Sequence, residues 1–167
     1  MTDRTVPLVV GVGNEERGDD GCGLAVVRSL GRELGPRCRI AECSGDLTEL
    51  IELWEATDTV YLVDAVRTGG APGTVHRIEV GAAPLDARPA AASTHGISLG
   101  QVVELARALH RLPRRLFLYG IDVAEVGVGA GLSAPVRRAV DETARRIAEE
   151  LGSETRAPSG EGVAARA

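Results

Sequence analysis

Aromatic side chains are nearly missing from this chain, which has one Trp, two Tyr and one Phe among 167 residues. Stacking on nucleobases therefore has little to work with. Acidic residues outnumber basic ones 24 to 19, and the net charge of −5 removes the phosphate attraction that a general nucleic-acid binder needs. No apolar run approaches the ~20 residues that span a bilayer, so membrane insertion is set aside. The opening Met1-Thr2-Asp3-Arg4-Thr5 carries no secretory apolar region, and the expected compartment is the cytoplasm. Three cysteines, Cys22, Cys38 and Cys43, cannot all pair and form no C-x-x-C. They read as small buried apolar residues in a reducing compartment. No internal repeat is visible.

What is present suits one domain with a genuine core: 44% hydrophobic residues and a mean hydropathy of +0.01. The expected organisation is a single α/β domain over residues 1–151, followed by a disordered tail over 152–167, where Ser, Glu, Gly, Pro and Ala run without periodicity.

The chain is organised around Gly11-Val12-Gly13-Asn14-Glu15-Glu16-Arg17-Gly18-Asp19-Asp20-Gly21-Cys22-Gly23. The run before it, Pro7 to Val12, is short and continuously apolar, as a strand buried on both faces would be. The run after it places Leu24, Val27, Leu30 and Leu34 on one helical face. A strand, a Gly-rich turn and a helix suggest a dinucleotide site, but Glu16 stands where G-x-G-x-x-G needs its third glycine. The loop also carries Glu15, Glu16, Asp19 and Asp20 against Arg17 alone. Phosphate is repelled there, and a cation is favoured. The plainer alternative is that Asp19 and Asp20 only cap the helix. Cys22 is no nucleophile on this reading, because neighbouring acids raise a thiol pKa.

Further along, residues 37–43 alternate as a second strand. Asp46 then opens a helix with Glu49 at capping-box spacing and Leu47, Leu50, Ile51 and Trp54 on one face. Residues 58–66 form a buried strand with Asp64 near its far end, where Thr68-Gly69-Gly70 also allows a simple turn role. Residues 73–80 alternate like an edge strand, with His76 reading as structural. An Ala- and Pro-rich loop ends at His95, just ahead of a helix with Ser98 and Gln101 at capping-box spacing and Leu99, Val102, Val103, Ala106 and Leu109 on its apolar face. Residues 115–122 make the last strand. A Gly-rich connection over 127–131 follows, and Ser133 caps a final helix whose face is Val136, Val140, Ala144, Ile147 and Leu151. Strands alternating with helices predict a mostly parallel sheet with functional groups at its carboxyl end. There Asp20, Asp64 and the loop residue His95 can converge, and two carboxylates with one imidazole suit a divalent first-row metal. Asp20 or Asp64 is then the candidate general base.

The G-V-G-N-x4-D-D-G-x-G run, the V-D-A-V strand end, the S-T-H-G segment and the late G-I-D…G-x-G-L-S-x-x-V stretch resemble the hydrogenase maturation proteases, over about residues 7–151. The resemblance implies a three-layer α/β/α sandwich around a roughly five-stranded sheet. It implies an endopeptidase that removes the C-terminal extension of a nickel–iron hydrogenase large-subunit precursor after nickel insertion. The family's metal-contacting positions fall on Asp20, Asp64 and His95, and nickel carried by the substrate would be the recognition element. Many relatives carry Glu at the first position and a Gly-Gly-Thr segment where this chain has Cys43-Ser44-Gly45-Asp46. Competing readings are another metal-assisted hydrolase or a non-catalytic nickel-binding maturation factor on the same scaffold.

Overall fold

The computed structural model describes residues 4–55, 57–81, 92–93, 99–124 and 127–154. In chain order they form β1 (Leu8–Val12), a kinked 3-10 turn (Glu15–Gly21), α1 (Cys22–Leu34), β2 (Arg39–Cys43), α2 (Leu47–Trp54), β3 (Thr59–Arg67), β4 (Val75–Glu79), β5 (Ala92–Ser93), α3 (Leu99–Ala108), β6 (Arg115–Asp122) and α4 (Ala134–Glu154). The main sheet runs in the order β2-β1-β3-β6-β4, with β5 attached to β3. Pairs β1–β2, β1–β3 and β3–β6 are parallel, while β4 runs antiparallel at the β6 edge. Five strands therefore make the expected sheet, and the two-residue β5 is the addition that alternation cannot reveal.

Side-chain alternation along the strands divides the core into two layers. Val9, Tyr61, Val63, Ala65, Phe117 and Tyr119 pack beneath α1 and α4, whose Val27, Leu30, Val140 and Ile147 close that side. Val10, Val60, Leu62, Leu116 and Leu118 face α2 and α3, where Leu50, Ile51, Trp54, Val102 and Val103 cover them. This is the three-layer sandwich. Trp54 is fully buried in the second layer, as its place on the α2 face predicts. The Asp46 carboxylate accepts from the Thr48 and Glu49 amides at 2.9 and 3.0 Å, so the cap of α2 forms as read.

Two helix ends differ from the sequence reading. α3 stops at Ala108, and His110 takes the left-handed conformation (φ 56°) that closes a helix C-terminus. Leu109 consequently leaves the apolar face and is 50% exposed. At the other end of the chain, α4 continues through Glu154, beyond the boundary expected at Leu151. Residues 155–167, the rest of the expected tail, lie outside the described residues, as do Ser98 and His95.

Candidate active site

The glycines around the first turn serve close packing of backbone on backbone. A Cβ at Gly23 would fall 2.4 Å from the Val12 carbonyl oxygen and 2.5 Å from that of Val63. One at Gly11 would fall 2.3 Å from the Gly23 oxygen. Only bare backbone lets α1 start this close to the carboxyl ends of β1 and β3. The 3-10 turn between them is fixed from several sides. Asn14 Oδ1 accepts from the Glu16 amide at 2.9 Å, and the Asn14 amide donates to the Asp20 carbonyl at 3.4 Å. The Gly-rich connection reaches across to the same turn, where the Gly129 amide donates to the Glu16 carbonyl at 2.9 Å.

The four acids of this turn have four different fates. Glu15 is exposed and pairs with Arg28, which also holds Glu42 through two hydrogen bonds of 2.7 and 2.9 Å. Glu16 lies in solvent. Asp19 is buried and accepts from the Ser133 amide (2.6 Å) and the Ser133 hydroxyl (2.8 Å). It therefore ties the turn to the start of α4, and the Ser133 hydroxyl serves as a donor to this distant acid. Asp20 is fully buried at the junction with α1. The positive end of α1 thus faces a short run of buried carboxylates. The adjacent Cys22 thiol records their field, since burial first, then Asp64, Asp19 and Asp20, push its pKa far above the usual range. Burial likewise raises Cys38, and raises Cys43 to about 11. None of the three thiols is an activated nucleophile.

Asp64 belongs to the strand rather than to a turn. β3 continues to Arg67, and the Asp64 side chain is fully buried. Alternation places it on the α2/α3 side with Val60 and Leu62. One edge of β3 is taken by β6 as far as Val66, paired with Asp122. The other edge belongs to β1 only up to Val63; beyond it, β5 pairs antiparallel with Val66 and Arg67. The chain thus leaves β5 at Ser93, opposite Val66. Ser93 is two residues before His95 in sequence, and Val66 is two residues beyond Asp64 on the strand. Asp20 and Asp64 are both fully buried, one after β1 and the other toward the carboxyl end of the neighbouring β3. Among the described residues no three His, Cys, Asp or Glu side chains form a metal-holding group.

A second acidic feature at this end escapes the sequence reading. Asp122, the last residue of β6, is 1% exposed. It accepts from the Thr68 amide (2.8 Å), the Thr68 hydroxyl (2.6 Å) and His76 Nε2 (2.6 Å). Burial alone would push this carboxyl up, but the Thr68 and His76 donors outweigh it and hold it below the usual range. The arrangement is not a nucleophile triad, since the hydroxyl is bonded to the acid instead of the imidazole. His76 has its partner 46 residues away; the alternating pattern of β4 gives no hint of it. The late G-I-D segment is the only signal that could have drawn attention to Asp122.

The model of the family described as "Hydrogenase maturation protease" matches residues 26–150. That span contains Asp64, His76, His95 and Asp122 and begins just after the glycine- and acid-rich turn. The chain is 28% identical to the hydrogenase expression/formation protein HupD of Rhizobium leguminosarum bv. viciae over 93% of this chain and 81% of the relative. It is also 28% identical to HupD of Thiocapsa roseopersicina, where the match covers 77% of this chain and 59% of the relative. The hydrogenase maturating endopeptidase HybD from E. coli shares the fold, with a TM-score of 0.73, 22% identity and coverage of 90% and 94%. The [NiFe] hydrogenase maturation protease HycI from Thermococcus kodakarensis KOD1 superposes with a TM-score of 0.68 at 29% identity, covering 89% of this chain and 93% of that one. With sheet and family match in agreement, this chain belongs to the hydrogenase maturation protease family and is a hydrogenase maturation endopeptidase.

Proposed function

We propose that this endopeptidase removes the C-terminal extension of a nickel–iron hydrogenase large-subunit precursor once nickel is in place, and that Asp20, Asp64 and His95 grip the substrate's nickel. The observation that supports this reading is a pair of fully buried carboxylates carried by two neighbouring strands' ends. Asp20 stands at the end of the turn after β1, and Asp64 stands on β3. Asp19, Asp20 and Asp64 are all buried around this end of the sheet, and such a concentration of carboxylates suits a divalent cation.

Nickel delivered by the precursor fits a site of few protein ligands, because thiolates of the substrate can complete the coordination and confine binding to the loaded form. The ion then acts as a checkpoint and polarises the scissile carbonyl for attack by water. No cysteine is placed to form an acyl-enzyme, since each is buried with a raised pKa. The three thiols form no disulfide, which fits the reducing cytoplasm as the place of action. Within the described residues no helix is long and apolar enough to cross a membrane.

Intact-mass measurement on nickel-loaded and nickel-free precursor tests the proposal. The loaded form should lose its extension and the nickel-free form should not. Equal cleavage of both would remove the checkpoint, and full activity in Asp20→Asn, Asp64→Asn or His95→Ala would remove the site.

A further inference from the structure

We propose that His76, oriented by Asp122, is the proton-transfer residue of the cleavage reaction. This inference rests on the reading above, in which Asp20 and Asp64 are engaged with the substrate's nickel. Carboxylates bound to a cation are weak bases, so the proton of an attacking water needs another acceptor.

The register of the sheet supplies one. Asp64 on β3 pairs with Gly120 on β6, and Gly120 pairs with His76 on β4. The three residues form one row across the sheet, and partners in a row project from the same face. That face is the α2/α3 side, where Leu62, Leu118 and Ile78 also lie. Two strand spacings separate the backbones of Asp64 and His76 by about 10 Å. The residue between them is glycine, and a Cβ there would already press on both Val66 methyls at 3.0 Å. Gly120 raises no side chain of its own between acid and imidazole, and the Val66 side chain of β3 lies over that position.

The ring itself is set up for proton transfer. Asp122 is buried and held ionised by its donors, so the His76 nitrogen facing it at 2.6 Å, Nε2, must carry the hydrogen. The lone pair is thereby fixed on Nδ1. The His76 side chain is 39% exposed, so the ring is not sealed within the core. Among the described residues, the groups facing the ring are Asp122 from β6 and, one strand further, Asp64 from β3; the turn over residues 68–74 contributes the Thr68 hydroxyl to Asp122 and no titratable group. In the reaction, Nδ1 takes a proton from water as the water oxygen bonds to the scissile carbonyl carbon. The same proton passes to the leaving nitrogen as the C–N bond breaks. One water and one peptide bond are consumed, a carboxyl and an amine are formed, and the imidazole returns to its neutral state.

Cleavage of the nickel-loaded precursor, followed by intact mass, tests this with His76→Gln, His76→Ala, Asp122→Asn and Asp64→Asn. His76→Gln should lower kcat by about 100-fold or more, in the range of general acid–base catalysis, with KM changed by less than about threefold. The acid limb of the kcat–pH profile should disappear. Added imidazole should restore part of the activity of His76→Ala, and Asp122→Asn should lower kcat without such rescue. If Asp64→Asn is inactive while His76→Gln keeps the wild-type kcat and pH limb, the His76 role is overturned and the nickel site stands. Reduced kcat with an unchanged limb and no imidazole rescue in either His76 variant overturns it as well, leaving His76 as a structural clamp. Full activity in Asp64→Asn would instead overturn the nickel reading itself.

Discussion

At the amino end of the sheet, carboxylates are matched by guanidinium groups. A cleft of about 420 Å³ there is lined by Arg77, Arg115 and Arg146 together with Glu79, Glu149 and Glu150. Arg77 binds Glu150 through two hydrogen bonds of 2.7 and 3.0 Å, and its guanidinium lies 4.8 Å from the Phe117 ring centroid. Tyr119 donates to Glu150 at 2.6 Å, and burial followed by that carboxylate raises the phenol to about 12. At the carboxyl end, Asp19 and Asp122 instead take their recorded bonds from amides, hydroxyls and one imidazole. Neutral donors orient a carboxylate without cancelling its charge. One end of the sheet is neutralised and serves cohesion, while the other keeps a negative field and can serve a cation.

The largest expected effect separates the two ends directly. Asp64→Asn should reduce cleavage of nickel-loaded precursor by about 100-fold or more, whereas Glu150→Gln should leave kcat unchanged and cost about 2 kcal/mol in urea unfolding. Loss of activity in both would dissolve the contrast. Gly23→Ala should destabilise by about 3 kcal/mol, because its methyl group meets two peptide oxygens that cannot move aside. Asp19→Asn keeps the shape of the anchor to Ser133 but weakens its charge-assisted bonds, and should cost about 1 kcal/mol. The smallest effect is a difference in response to pH and salt. Asp122 and Glu150 both have lowered pKa values in the fold, so each contributes stability above its unfolded value of about 4, and that contribution is lost as pH falls further through the folded value. Acid unfolding curves should show both losses. High salt should weaken only the partly exposed Arg77–Glu150 contribution.

Strands and helices are legible in this sequence wherever a period runs for several residues. The apolar run of β1, the face of α1 and the alternation of β4 each state their own environment. The acid at Asp64 is legible too, because a buried strand ending in a carboxylate marks the carboxyl edge. What escapes is pairing across distance. Ser133 looks like a cap in its own neighbourhood, yet its hydroxyl answers to Asp19, 114 residues earlier. His76 looks structural until the β4–β6 register brings Asp122 beside it. β5 is only two residues long, too short for any period, although it pairs with β3 beyond the reach of β1. The helix end at His110 escapes because nothing nearby announces it with glycine.

The bare contact between Gly11 and Gly23 limits how this family member can diverge. Between β1 and α1, a new side chain at a glycine displaces peptide groups, and a change at Asp19 or Asp20 alters buried charge. Glu16 and Arg17 point outward, so substitution there is nearly free. Hereditary tinkering with the segment is thus confined to its outer rim, and a mutational library built on this turn would find its tolerated variety at those two positions.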